Sequence, residues 1–114
     1  MHLRSFFLSL TFIATLPVIA APATHNEKHS GLSPSSQAYM SGMNNMHESM
    51  MKAIKDPDAD KAFAMGMIEH HKGAIAMAET ELRYGKSPEM REMAESVIKA
   101  QKEEIRQMEA WLKK

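Results

Sequence analysis

From Met40 to Ile54 the apolar residues recur at steps of three and four, as Met40, Met43, Met50, Met51 and Ile54, with His47 in the same series and Tyr39 and Met46 at its edge. That period marks one face of a helix. Ser35 or Ser36 can cap it, and it is expected to run to about Lys55. Asp56-Pro57-Asp58 breaks it, because proline disfavours helical geometry in the residue before it. A second helix is predicted from about Asp58 to Tyr84, with Phe63, Ala64, Met67, His71, Ala74, Ile75, Ala78 and Leu82 on its buried stripe and Gly85 as its stop. Ser87-Pro88-Glu89 opens a third helix as a cap, a first-turn proline and a first-turn acid. Its stripe is Met90, Ala94, Val97, Ile98, Gln101, Ile105, Met108 and Leu112. Nothing reads as a strand. The expected fold is all-α, an antiparallel bundle of three long helices over residues 35–114.

The beginning of the chain follows another pattern. A basic start ending at Arg4 leads into an apolar run from Ser5 to Ala20, interrupted by Pro17 and followed by small residues. This predicts a secretory signal peptide over residues 1–20, with cleavage after Ala20 or Ala23, and hence a periplasmic or secreted product. The run is short for a membrane span, so no membrane association is expected after cleavage. Residues 21–34 hold Pro22, Gly31 and Pro34 without an apolar period and are expected to form a disordered leader. His25 and His29 fall there as solvated tail residues.

Composition narrows the function. Basic and acidic side chains balance at 14 each, which gives no electrostatic case for nucleic acid. The chain has no cysteine, so an exported product has no disulfides and depends on packing. Its bias is methionine, 12 residues of 114.

That bias bears on chemistry at Met67-Ile-Glu-His-His-Lys-Gly-Ala-Ile-Ala-Met77. At roughly 100° per residue, Met67 and His71 share a helical face with Ala74 and Ala78, and His70 and Met77 lie along its edge. Counting outward from the two turns sets Met43, Met46 and His47 at the height of His70 and His71, with Gln101 opposite and Glu104 one turn on, level with Met67. His47, His71 and Gln101 on buried stripes need partners. They can hydrogen-bond one another or Glu104 as satisfied core groups. They can equally form a soft-metal site with Met43, Met46, Met50 and Met67, since imidazole and thioether suit Cu(I). Methionine alone is a weaker signal, being a flexible gap-filler in ordinary cores and on binding surfaces.

Ala62-Phe63, Met67-Ile68, His70-His71, Ala74-Ile75, Met77-Ala78, Ala94, Ile98 and the run Gln101, Glu104-Ile105, Met108, Trp111-Leu112 together resemble the domain of unknown function 305. The resemblance covers about Asp58 to Lys114. It implies a ferritin-like helical bundle and, in exported members, copper binding and copper resistance. Carried over by position, it implies Met67, His70, His71, Met77 and Met108 as the metal-facing set. The cluster Met43, Met46, His47 and Met50 lies outside the matching part and is similar only in style to methionine-rich copper motifs. A fourth helix is missing, so either a partner subunit supplies it, as in a homo-oligomer, or the bundle stays three-helical.

The leading expectation is thus a copper-binding protein that sequesters or transfers Cu(I), with Cu(II) accepted through the histidines, and that exchanges copper with a donor or acceptor protein. A di-iron enzyme on the same bundle would need Glu-x-x-His pairs, and no glutamate stands three residues before a histidine. No enzyme activity is expected. The remaining alternative is a methionine-rich interaction module with no metal role.

Overall fold

The computed structural model describes residues 31–114, so the expected signal peptide and most of the expected leader, with His25 and His29, lie outside the described residues. Three helices follow in order, α1 (Pro34–Ala53), α2 (Ala59–Tyr84) and α3 (Pro88–Leu112), and no strand occurs among the described residues. The protein is all-α, as the periodicity requires. Residue pairs across the seams, Gly42 with Ala76 and Ile54 with Gly66 on one side, His71 with Glu104 and Leu82 with Arg91 on the other, show that each neighbour runs antiparallel to α2. Helix α2 is central. Both α1 and α3 pack along it, and among the described residues they do not pack on each other.

The helix ends explain where the sequence reading slipped. Helix α1 begins at Pro34, and its cap is Ser33, whose hydroxyl accepts the Ser36 amide at 3.1 Å, rather than Ser35 or Ser36. A proline at the first helical position loses nothing by lacking an N–H, so Pro34 belongs to the helix and not to the leader. The break after Ala53 comes slightly earlier than expected. There the Asp56 carboxylate accepts the Asp58 amide at 2.9 Å, and Asp58 in turn caps α2 by accepting the Lys61 amide at 2.9 Å. Gly85 ends α2 with φ −71° and ψ 150°, an extended geometry rather than the left-handed one that favours glycine. The last carbonyls of α2 are instead covered by Arg91 of α3, whose Nη1 donates to Leu82 O at 2.7 Å and Gly85 O at 3.2 Å. A cation suits that end of a helix.

The interior is thin. The buried apolar side chains are Ala53, Ala64, Ile68, Ala78 and Ala94, and the buried polar one is His71. The seam between α1 and α2 is a close approach on small residues: a Cβ at Gly42 would lie 3.6 Å from that of Ala76, and the side chain of Met46 lies flat over Gly73. Several residues expected in the core are therefore exposed. Phe63 is 67% accessible, and Met40, Met43, Met51, Ile54 and His47 are exposed as well. A central helix flanked on two sides can bury only the lines of contact, and the stripes of this chain are wider than those lines.

The layer has two unlike broad sides. Helical geometry puts Phe63, Met67, His70, Ala74, Met77 and Glu81 of α2 on one side, and Lys61, Lys72, Glu79 and Arg83 on the other. Helix α3 repeats the division, with Met93, Val97 and Trp111 against Glu95, Lys102 and Glu109. On α1, Met43, His47, Met50 and Ile54 border the apolar side. A cleft of about 480 Å³ at one end of that side is lined by Phe63, Met108 and Trp111, and one of about 360 Å³ at the other end by Tyr39, Met77, Met90 and Met93. Between these two clefts lie the histidines.

Candidate functional site

His71 is 7% accessible, and its Nε2 lies 2.5 Å from Oε2 of Glu104 on α3. A carboxylate only accepts, so the imidazole proton sits on Nε2. In the neutral imidazole that assignment leaves a lone pair on Nδ1, which is buried and has no hydrogen-bond partner among the described residues. Burial of such an atom carries a cost that a ligand would relieve. The sequence reading placed Glu104 among the possible partners of His71, and this pairing is present. Glu104 itself is half in solvent, with 55% of its side chain accessible.

His70 lies beside it, the two rings meeting edge to face with centroids 6.0 Å apart. Unlike His71, His70 is exposed. Consecutive residues on a helix diverge by about 100°, so one imidazole enters the seam with α3 while the other stays on the open apolar side. Met67 and Met77 flank His70 along the same strip at three and seven residues, Met67 half-buried and Met77 45% accessible. Their outer neighbours Glu69 and Lys72 pair with each other at 3.0 Å, away from the histidines.

The register corrects the expected layer by about one turn. Gly42 with Ala76, Met46 with Gly73 and Ile54 with Gly66 fix the alignment of α1 on α2. Each step along α1 matches a step back along α2, so Met50 stands level with His70 and Met43 with Met77. On the α3 side, the His71–Glu104 pair puts Met67 level with Met108, which is half-buried. Spacing puts Met43, Met46, His47 and Met50 on one side of α1, and the seam with α2 takes up Met46 alone of the four. Met46 turns into the seam against Gly73 and lines a cleft with Asn45, Ser49 and Lys72 toward the charged side. Met43, His47 and Met50 remain along the apolar side, with His47 exposed rather than buried. Gln101, half-buried, has no hydrogen bond among the described residues.

Two features of the site escaped the sequence reading. Tyr39 of α1 donates to Glu81 Oε2 of α2 at 3.4 Å across the apolar side. Burial first, then the Glu81 charge and this hydrogen bond, raise the Tyr39 pKa above its ordinary value near 10. Met93, 55% accessible, joins Met77 and Met90 in one cleft although it lies off the expected α3 stripe. Spacing offered a signal for it, since Met90, Met93 and Val97 step by three and four alongside that stripe. Among the described residues no three His, Asp or Glu side chains converge in a way that could hold a metal.

The family described as Domain of unknown function (DUF305) matches residues 14–112. The chain belongs to this family. The DUF305 match reaches back through α1, farther than the residues from Asp58 onward that carried the resemblance in sequence. Met43, Met46, His47 and Met50 therefore lie inside the family region. No curated protein matches the chain.

Proposed function

We propose that this protein is an exported, periplasmic copper-binding protein that holds Cu(I), accepts Cu(II) through imidazole, and serves copper sequestration or transfer without catalysis. The observation that carries the reading is the run Met67, His70 and Met77 along one open strip of α2, with Met43, His47 and Met50 along the bordering strip of α1. Thioether and imidazole are soft or borderline donors, and a strip that lacks lysine and arginine does not repel a cation. The unpartnered Nδ1 of His71 adds a donor whose proton is held on the opposite nitrogen by Glu104, the arrangement in which a carboxylate orients a ligating imidazole. No helix among the described residues is long and apolar enough to cross a membrane.

The test is a Cu(I) titration of the signal-cleaved protein against a competing chelator, repeated on the His70→Ala/His71→Ala and Met67→Leu/Met77→Leu variants. Both double variants are expected to weaken Cu(I) binding at least tenfold, and only the histidine variant should lose Cu(II) binding. Wild-type affinity in both would overturn the reading. A second reading, an interaction module without metal, is favoured by one observation, the exposure of Phe63, Met93 and Trp111 on the same side. Absence of stoichiometric copper in the wild-type titration would leave that reading standing.

A further inference from the structure

We infer that the apolar side of the helical layer is the interface of a homodimer, with a second copy of this chain laid face to face upon it. The argument begins with what the fold leaves undone. No side chain of the described residues is fully buried, and the largest buried apolar side chain is Ile68. Meanwhile Phe63, Met77, Met93 and Trp111 stand 67%, 45%, 55% and 43% accessible on one side. Small domains are marginal even with a complete core, so a layer of this size gains its missing burial by covering that side.

The dimensions suit a second copy. A 26-residue α2 is about 39 Å long, and two helix-to-helix spacings of roughly 9 Å set the width, so the side measures about 700 Å². A standard stable interface takes about 800 Å² from each partner. The electrostatics suit it too. The titratable side chains along this side are Tyr39, His47, His70, Glu81 and Glu104, with Asp60 at the rim, and the lysines and arginines of α2 lie opposite or at its ends. A face whose few charges are acids set apart from one another, Glu81 near one end and Glu104 on the neighbouring helix, can meet itself without a block of like charge, which a two-fold interface requires. Interface centres are rich in methionine and aromatic residues and poor in lysine, as this side is. The proposal does not rest on copper and is tested without it.

The metal-free mature chain, held in chelator, is examined by sedimentation velocity over a wide concentration range. The expected result is a dimer that dissociates on dilution. Phe63→Glu should raise the dimer dissociation constant at least roughly 30-fold, because it sets a charge where a large aromatic side chain is covered, whereas Lys72→Glu on the charged side should leave it unchanged. A second measurement uses only the wild-type protein, in case the glutamate variant fails to fold. Peroxide oxidation of Met77 and Met93 should slow as protein concentration rises, while oxidation of half-buried Met65, on the opposite side, should not. A monomer at every concentration, loss of the dimer in Lys72→Glu rather than Phe63→Glu, or oxidation of Met77 and Met93 independent of concentration would each overturn the proposal.

Discussion

At the scale of the residue, the paired histidines do different things although they are neighbours. His71 fills the seam and satisfies one nitrogen with Glu104, so its removal leaves a cavity and an unpaired carboxylate. His71→Ala should cost about 2–3 kcal/mol in urea denaturation, and His70→Ala, at an exposed position, should stay within about 0.5 kcal/mol. Equal losses would mean that the seam does not depend on His71. Tyr39 gives a residue-level prediction in pH. Its folded pKa is raised, so the stability it contributes is fully present below pH about 10 and is lost as pH rises through the folded value. In chemical denaturation followed across alkaline pH, Tyr39→Phe should flatten that decline, and ultraviolet titration should show the loss of one late-ionising phenol. An unchanged decline would remove Tyr39 as its source.

At the scale of the element, the glycines of the α1–α2 seam divide by what a methyl group would meet. At Gly42 an added Cβ would touch Ala76 at 3.6 Å, an ordinary contact, so Gly42→Ala should stabilise by about 0.5–1 kcal/mol through helix propensity. At Gly73 it would overlap Met46 along its length, with Cγ at 2.7 Å and Cβ at 3.0 Å, so Gly73→Ala should destabilise by about 1–2 kcal/mol despite the same gain in propensity. Thermal denaturation of the pair checks the contrast, and a stabilised Gly73→Ala would show that Met46 swings aside without cost. The elements themselves were legible in the sequence because caps and period are local: Asp58, Ser87 and Pro88 mark their helices as read. Register was not legible. It depends on Met46 nesting over Gly73 and on the room that small residues leave, which no period reports, and that is why the expected layer was off by about a turn. The turn of Met46 into the seam was not legible for a related reason, since steps of three and four place residues near one another on a helix without saying on which side of a seam each falls.

At the scale of the whole molecule, the stripes told that three helices pack but not that they pack as a layer. Apolar periodicity records which positions avoid water in the finished assembly, and Phe63 and Met43 carry that signature while the single chain leaves them exposed. The same layer decides how metal and fold are related. Its seams are closed by Ile68, His71, the buried alanines and the capping residues, none of which needs an ion to hold its place. The metal-free protein should therefore give a helical circular dichroism spectrum and a cooperative melt. Copper, binding the folded state alone, should then raise the melting temperature, with about 2.7 kcal/mol added when free metal stands at 100 times its dissociation constant. Adding chelator should return the melt to its starting point. A random-coil spectrum that becomes helical only with copper would contradict this order of events, because the ion would then be organising the seams rather than occupying a strip beside them.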